Sequence, residues 1–292
     1  MPDQSIKIRG VEWRYATGGR GAQTVLLFHG AVGGAETMRR LAAGFEDEYR
    51  TIVPTVADVF TLEEVCDAAS AILDREHVGR AVVFGGSFGG HIAQAFFHRR
   101  RAQVQDLVLL STGAPNPAAG ARTARSAKFT RLLPFPLTRG LMRLEIKRQF
   151  DAPVPAEQAA HVAEFRQRLE DYFDHTLTKR TLLSRVALSV DFDRNERYAA
   201  ADAEDFAGRV LIVESDDDPA TPPDERLRLR ETYPRALVCT FPGAGQWLTL
   251  LRQEELVGLV KAFLKDDYST PAEIFGECSE AEGHEHLPHV LE

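Results

Sequence analysis

Short apolar runs alternate with segments of helical periodicity in the first part of the chain. The runs at residues 24–29, 81–84 and 106–111 are almost wholly apolar, which is typical of strands buried on both faces of a sheet. Thr61 begins a helix with a capping box that Glu64 completes, and apolar residues recur at helical spacing after it. Strands and helices that alternate in this way predict βαβ units and a mainly parallel sheet.

The other elements follow from the same two periodicities. The first residues alternate between apolar and polar, which predicts an antiparallel hairpin of strands at 5–10 and 11–16. Further strands are predicted at 49–56, 209–214 and 236–241, and further helices at 35–45, 88–99, 224–232 and 254–264.

The alternation stops after Thr112. The following residues carry helical periodicity without a convincing strand, and prolines such as Pro134 and Pro153 interrupt it. We interpret this segment as a helical cap inserted into an α/β core. The predicted division is 1–112 and 209–265 for the core, 113–208 for the cap and 266–292 for an acidic tail. The tail contains no lysine or arginine, and we expect it to be disordered.

The apolar run that ends near Phe84 leads directly into Gly85-Gly86-Ser87-Phe88-Gly89 and then into a helix. A Gly-x-Ser-x-Gly pattern between a strand and a helix is the signature of a nucleophile elbow, in which a serine occupies a strained turn. The alternative is a glycine-rich turn without a catalytic role. An earlier apolar run ends in His29-Gly30, and this second loop favours the elbow.

Composition limits the classes of function. The chain has 292 residues, 44% of them hydrophobic, which is enough for a sizeable core. A net charge of -8 argues against nucleic-acid binding, which requires a dominant basic face. Charged residues near position 1 and the lack of a long apolar stretch lead us to expect neither a secretory signal nor a transmembrane segment. Cys66, Cys239 and Cys278 are widely spaced and odd in number, and we expect reduced thiols in a cytoplasmic protein.

These motifs resemble those of the α/β-hydrolase fold superfamily over residues 6–265. The matching parts are His29-Gly30, the Ser87 elbow, a helical insertion, Asp216-Asp217-Asp218-Pro219 after a buried strand, and Gly243-Ala244-Gly245-Gln246-Trp247 after the next strand. The resemblance implies a mainly parallel eight-stranded sheet flanked by helices, with an inserted helical cap. It also implies a catalytic order of serine, acid and histidine along the chain.

The resemblance assigns the catalytic acid to Asp218, and the adjacent Asp216 and Asp217 are alternatives. Without a catalytic role, these aspartates would cap the turn before the next helix. Gln246 stands where the family has its histidine, so the triad is incomplete. A carboxamide has no useful basicity and cannot take the serine proton. Loss of one triad member slows serine hydrolases by about 10⁴ to 10⁶. His91 lies near Ser87 in sequence, but we interpret it as a helix-face residue.

The oxyanion hole does not depend on side chains, and the resemblance assigns it to the backbone N–H groups of Ala31 and Phe88. Further residues are expected to contact the substrate, and they are His29, Gly30, Trp247, Leu133, Phe135 and Leu141.

The first part of the predicted cap is rich in basic residues and in leucines. Its cations between 122 and 148 are Arg122, Arg125, Lys128, Arg131, Arg139, Arg143, Lys147 and Arg148, against Glu145 alone. They could attract an anionic or carrier-bound substrate, although a solvated helix face explains them as well. The apolar residues expected to face inward and line a hydrophobic pocket are Leu132, Leu133, Phe135, Leu137, Leu141, Met142 and Leu144.

Three functions fit this sequence. The first is a serine hydrolase or acyl-transfer enzyme on a small, mainly hydrophobic ester, lactone or thioester, with activity weakened by Gln246. The second is a non-hydrolytic enzyme that uses the same pocket. The third is a noncatalytic binding or adaptor protein, because Glu64-Val65-Cys66-Asp67, Tyr233-Pro234-Arg235-Ala236 and the histidine-less Gly243-Ala244-Gly245 also resemble the maspardin subfamily. We predict no cofactor. We interpret His284, His286 and His289 as residues of a solvated tail rather than as metal ligands. The sequence does not indicate an oligomeric state.

Overall fold

One sheet organises the residues that the computed structural model describes, which are 3–149, 158–267 and 277–280. Its strands are β1 Asp3–Ile8, β2 Val11–Gly18, β3 Thr24–Phe28, β4 Arg50–Thr55, β5 Ala81–Gly86, β6 Val104–Leu110, β7 Val210–Ser215, β8 Leu237–Phe241 and β9 Glu277–Glu280. Within these residues they lie in the order β1-β2-β4-β3-β5-β6-β7-β8-β9. Neighbours from β4 to β8 pair in parallel, whereas β1 with β2, β2 with β4 and β8 with β9 are antiparallel.

The helices cover both faces of this sheet and form the cap. They are α1 Ala35–Ala43, α2 Leu62–Arg75, α3 Phe88–Arg99, α4 Pro117–Leu132, α5 Phe135–Gln149, α6 Ala159–Asp171, α7 Lys179–Asn195, α8 Ala201–Glu204, α9 Pro223–Thr232, α10 Leu248–Leu251 and α11 Gln253–Lys265. Among the described helices, none is both long enough and apolar enough to cross a bilayer.

The central strands are apolar because both of their faces are covered. Every residue of β3 and of β7 is buried. One core lies under α2 and α3, and the other lies under α1 and α11. The predicted capping box is present, since the Thr61 hydroxyl accepts from the Glu64 N–H and the Glu64 carboxylate accepts from the Thr61 N–H. The predicted α/β arrangement is thus confirmed, with one strand more than expected.

The additional strand corrects two expectations. Glu277–Glu280 pairs with β8, although the tail from 266 was predicted to be disordered. Cys239 and Cys278 lie opposite each other in this pairing and form a disulfide, so the prediction of three reduced thiols is wrong, and only buried Cys66 is free among the described residues. Spacing along the chain could not reveal that antiparallel pairing brings these two side chains together. The cysteine-based reason to expect a cytoplasmic protein is thereby removed.

The cap consists of α4 to α8 and lies between β6 and β7 in the chain. Asn116 begins α4, because its side chain accepts hydrogen bonds from the N–H groups of Ala118 and Ala119. Helix α4 approaches α7 closely at Gly120, where a Cβ would lie 2.6 Å from the Cβ of Asp193. The cap is tied to the core by Ser184, whose hydroxyl donates to the Val59 carbonyl at 2.5 Å.

Several cap leucines face outward, which contradicts the predicted hydrophobic pocket. The exposed fractions are 82% for Leu132, 52% for Leu137, 53% for Leu141 and 48% for Leu144. The inward face of α5 is formed instead by Phe135, Met142 and Ile146, which pack against Tyr172 and Phe173. A helix with apolar residues on two faces does not reveal from its sequence which face is covered.

Candidate active site

Ser87 occupies a strained turn between β5 and α3, as the motif predicts. Its φ of 51° and ψ of -121° are rare for a residue with a side chain. The flanking glycines permit the close passage of the chain. A Cβ on Gly85 would lie 2.2 Å from the Gly89 carbonyl oxygen, and a Cβ on Gly89 would lie 2.2 Å from the Phe28 carbonyl oxygen. The turn therefore requires glycine at both positions, and it leaves the Ser87 residue exposed.

Hydrogen bonds from β6 and the segment after it hold this turn. The Ser87 N–H donates to the Leu110 carbonyl at 2.9 Å, and the Ser87 carbonyl accepts from the Thr112 hydroxyl at 2.9 Å. Phe88 is the first residue of α3, where helix geometry leaves its N–H without an intrahelical acceptor. This N–H and the positive end of α3 are suited to stabilise negative charge on an oxygen beside Ser87.

His29 shapes the loop that carries the second predicted oxyanion donor, Ala31. Its Nε2 accepts from the Val56 N–H at 3.0 Å, so its Nδ1 carries the proton and donates to the Gly30 carbonyl at 2.7 Å. Burial, reinforced by the nearby Arg185, lowers the pKa of His29 to about 3. The imidazole is neutral and has no exposed surface, so it holds the loop from behind and leaves Gly30 and Ala31 as the parts that a ligand can reach.

Two cap residues that the sequence analysis missed also hold this region. Arg185 is buried, donates to the Val56 carbonyl at 2.5 Å and to the Ala57 carbonyl at 3.2 Å, and lies over the ring of Phe88 at 5.8 Å. The side chain of Tyr172 is buried beside the backbone of Gly33, which belongs to the loop of residues 29–34.

A signal for Arg185 was present in the sequence. Arg185 interrupts the buried face of α7 that Leu182, Leu188 and Phe192 form. A cation on an otherwise apolar helix face is rarely buried without a specific partner.

The three adjacent aspartates have different roles. Asp218, the predicted acid, is buried and binds within its own turn, to the Ala220 N–H and the Thr221 hydroxyl at 2.8 Å each. The Asp217 carboxylate instead accepts from the Gly245 N–H at 2.7 Å. Asp216 accepts from the Gly243 N–H at 2.8 Å.

The run therefore serves both as a capped turn and as the support of the loop that presents Gln246. The hydrogen bond from the Ser215 hydroxyl to Asp217 is the main reason that the pKa of this carboxyl is lowered, and the bond from Gly245 adds to it. Among the three aspartates, Asp217 is the one that binds the residue directly before Gln246.

Gln246 lies in a short 3-10 turn, Gly245–Trp247, after β8. Its Oε1 is buried and has no hydrogen-bond partner among the described residues. A buried acceptor without a donor is costly, and active sites are where such groups concentrate. Trp247 packs edge-on against Phe165 of the cap, with ring centroids 5.6 Å apart.

No described histidine forms a hydrogen bond with Ser87. His91 stacks on Phe192 with centroids 4.2 Å apart, and its Nδ1 has no hydrogen-bond partner among the described residues. Burial lowers the pKa of His91 to about 4. His161 and His175 belong to the cap, and the tail histidines lie outside the described residues. The described residues thus combine a strained serine with a free N–H at the start of α3, and none of them provides a general base beside Ser87.

A cavity of about 680 Å³ lies beside the loop of residues 29–34 and borders it at Gly33 and Gly34. Its walls carry mixed charge. The cations are Arg14, Arg39, Arg168 and Arg185, and the anions are Asp3, Glu36, Asp58 and Asp171. The residues that line it do not include Ser87 or Gln246. They also omit all six predicted substrate contacts, which are His29, Gly30, Trp247, Leu133, Phe135 and Leu141.

The α/β core of this chain matches a known protein family. Residues 25–259 match the model of the alpha/beta hydrolase family, which is most of the chain. The chain belongs to the alpha/beta hydrolase family. The predicted resemblance is thereby confirmed, as is the expectation of an enzyme of the α/β-hydrolase type at the level of the family.

Curated relatives within this family are hydrolases. The 2-hydroxy-6-oxononadienedioate/2-hydroxy-6-oxononatrienedioate hydrolase of Paraburkholderia xenovorans is 25% identical over 271 residues, which are 87% of this chain and 91% of that protein. A hydrolase of the same name from Pseudomonas putida is 26% identical over 270 residues, which are 85% and 89% of the two chains.

Solved structures show the same fold at lower identity. An esterase from Thermogutta terrifontis has a TM-score of 0.70 at 21% identity, covering 90% of this chain and 98% of its own. The enol-lactonase of Burkholderia xenovorans has a TM-score of 0.71 at 16% identity, covering 90% and 100%. This likeness establishes the architecture, and the site residues must carry the chemistry.

Proposed function

We propose that this alpha/beta hydrolase acts through Ser87 on a small activated carbonyl compound, an ester, lactone or thioester, and that Gln246 weakens its hydrolytic activity. The observation that carries the proposal is the backbone of Ser87. A φ of 51° in a residue other than glycine is strained, and such strain persists where function requires it. The exposed serine stands beside a free N–H at the start of α3, which is the arrangement that acyl transfer uses.

The proposed roles follow from the contacts. The Ser87 hydroxyl attacks the carbonyl carbon while its proton passes to a solvent water molecule, and the N–H groups of Phe88 and Ala31 stabilise the oxyanion. Collapse of the tetrahedral adduct breaks the bond to the alcohol or thiol, which leaves with a proton from water, and a second water molecule then hydrolyses the acyl-serine. Gln246 orients a water molecule or the substrate through its unpaired Oε1, since it cannot act as a base. Asp217 supports the turn that carries Gln246, and Asp218 supports its own turn.

The substrate is proposed to carry a polar group beside its carbonyl. The outward cap leucines give no apolar lining, and the neighbouring cavity combines four arginines and four carboxylates with apolar walls such as Val56, Phe165 and Leu169. The names of the curated relatives describe dioate substrates with an oxo group, which supports a small polar carbonyl compound here as well. Cap cations could in addition attract an anionic or carrier-bound substrate.

A second candidate is a protein that binds a carbonyl ligand without forming an acyl-serine, either as a non-hydrolytic enzyme or as a binding protein. The absence of a base near Ser87 among the described residues favours it. In that case ligand affinity would survive the change Ser87→Ala, whereas the hydrolase proposal requires turnover to be lost.

Fluorophosphonate labelling together with p-nitrophenyl ester hydrolysis tests the proposal. We expect slow labelling of the parent, none in Ser87→Ala, and a rise in kcat/KM of at least about tenfold in Gln246→His, since a base removed from such a site costs far more. Gln253→His is the matched control, because it adds an imidazole at a residue of α11 that takes no part in the site.

Failure of the parent to label, combined with no gain of ester turnover in Gln246→His, would contradict the hydrolase proposal. Labelling that persists in Ser87→Ala would show that another residue is the nucleophile.

A further inference from the structure

The outer surface of the cap exposes large apolar side chains. Phe129 is 71% exposed and Leu132 is 82% exposed on α4, and Leu137, Leu141 and Leu144 are each about half exposed on α5. Single exposed leucines are ordinary, but a group of this kind on two consecutive helices marks an interaction surface. We call these five residues the cap apolar surface.

The spacing of these residues places them on definite helix faces. On α4, Arg125, Lys128, Phe129 and Leu132 follow the pattern i, i+3, i+4, i+7 and so lie on one face. On α5, three of the five residues follow i, i+4, i+7 and share a face as well. Each face is therefore continuous along its helix.

Positive charge accompanies this surface. Helix α4 has four lysines and arginines and no acidic residue, in a protein whose net charge is -8. Arg125, Lys128 and Arg131 are exposed and form no ion pair with a carboxylate that the structure describes. On α5, Lys147 is exposed, whereas Arg143 is already paired with Glu170 at 2.9 Å.

A shallow groove lies on another face of α4, and it shares the cations Lys128 and Arg131 with the basic side of this helix. It has a volume of about 400 Å³ and lies between α4 and α7, with Phe60 at one side. Val186 and Val190 contribute apolar walls, and Lys128 and Arg131 stand at its border. A groove that is apolar inside and basic at its edge fits an acyl chain whose headgroup is anionic.

We propose that the cap docks on the surface of a membrane that contains anionic lipids, with the cap apolar surface inserted among the headgroups and the α4 cations against the phosphates. Helices that combine exposed apolar residues with lysine and arginine bind such surfaces by both forces. Charge complementarity selects this partner, because unpaired cations on a surface of an otherwise acidic protein favour an anionic surface. The proposal concerns binding alone and does not depend on the chemistry of Ser87.

Flotation with vesicles tests it directly. We expect the parent to bind vesicles of phosphatidylcholine with about 30% phosphatidylglycerol at least about tenfold more strongly than pure phosphatidylcholine vesicles. Raising the salt from about 0.05 M to about 0.5 M is expected to weaken this binding, since it screens the charges.

Two variants separate the apolar and the charged contributions. Phe129→Ser with Leu132→Ser is expected to weaken binding by on the order of tenfold or more, because it removes two inserted side chains. Arg125→Gln with Lys128→Gln is expected to weaken it by about thirtyfold.

Each variant has a control elsewhere on the surface. Leu227→Ser, at a leucine of α9 that is 57% exposed, matches the apolar change. Lys7→Gln with Arg20→Gln matches the charge change, since both residues are exposed and lie outside the cap. Neither control is expected to alter vesicle binding.

Tryptophan fluorescence detects insertion into the membrane directly, without a variant that loses binding. Tryptophan fluorescence of Leu132→Trp is expected to shift to the blue and to be quenched by brominated lipid when anionic vesicles are added. Leu227→Trp is expected to show neither effect beyond that of the parent, which already contains Trp13 and Trp247.

Three results would overturn the proposal. The first is a parent that fails to float with anionic vesicles, and the second is equal binding to neutral and anionic vesicles. The third is a dimer in sedimentation velocity that Phe129→Ser with Leu132→Ser dissociates, because the surface would then belong to a second copy of the chain.

Discussion

Protonation of His29 is expected to couple the stability of the fold to pH. In the folded protein the Nε2 atom accepts the Val56 N–H and the ring has no exposed surface. A proton on Nε2 would place two donors against each other inside the core. The fold can therefore hold only the neutral imidazole.

The size of this pH effect follows from the difference between the pKa of His29 in the folded protein and its pKa in the unfolded chain. The pKa of His29 falls from 6.5 to about 3 on folding, so the unfolded chain binds the proton over a range in which the folded protein does not. Stability from this group is present above the unfolded pKa and is lost as the pH falls toward the folded pKa. Between about pH 7 and about pH 5 the free energy of unfolding is expected to fall by about 2 kcal/mol through His29 alone.

Urea denaturation at the two pH values measures this loss. Burial lowers the pKa of His91 and of His98 to about 4 as well, so the test is the difference between variants. His29→Gln should lose about 2 kcal/mol less than the parent over this interval, whereas the change at an exposed cap residue, His175→Gln, should match the parent.

A ring resonance of His29 that titrates near 6.5 in the folded protein would refute the reasoning, and this measurement remains available if His29→Gln does not fold. An identical loss of stability in His29→Gln and in the parent would refute it too.

Three further changes test other parts of the structure. Ser87→Gly relieves the positive φ of Ser87, which costs about 1 to 3 kcal/mol, so urea denaturation should show a more stable protein. This variant should no longer label with fluorophosphonate. A less stable variant would contradict the inference that the Ser87 backbone is strained. Cys278→Ser removes a disulfide whose cysteines are 39 residues apart in sequence, which should lower the free energy of unfolding by about 4 kcal/mol in non-reducing buffer. Equal stability of the parent and the variant in that buffer would contradict this prediction. Tyr172→Phe removes the hydroxyl beside the Gly33 backbone and should slow labelling of Ser87 and speed hydrogen exchange at Gly33. Unchanged exchange would contradict a role of this hydroxyl in holding the loop.

The sequence predicts the α/β core well because its local signals agree with its tertiary structure. The residues of β3 are apolar throughout since helices cover both sides of the strand, so the pattern itself reports burial. The capping box at Thr61 and the strained turn at Ser87 depend on neighbours within a few residues. Such features can be inferred without knowledge of the fold.

Features that depend on partners distant in the chain were missed or misjudged. Helix α5 has two apolar faces, and only the position of Tyr172 decides which one is inward. The disulfide depends on β9 reaching β8. Asp217 rather than Asp218 supports the turn before Gln246, because the ends of β7 and β8 set which carboxylate meets the Gly245 N–H. These contacts depend on how helices and strands are placed relative to one another in space, and local periodicity carries no information about that placement.

The pairing of Glu277–Glu280 with β8 has a consequence for how the protein behaves in solution. Without this strand, β8 would end the sheet with a row of unpaired N–H and carbonyl groups, and open edges of this kind recruit strands from other molecules. The antiparallel strand β9 pairs with that edge and leaves a strand of only four residues at the end of the described sheet, and short edge strands recruit partners poorly. A chain that ends after α11 at Lys265 is therefore expected to aggregate on storage at concentrations where the full chain remains monodisperse, which light scattering would reveal.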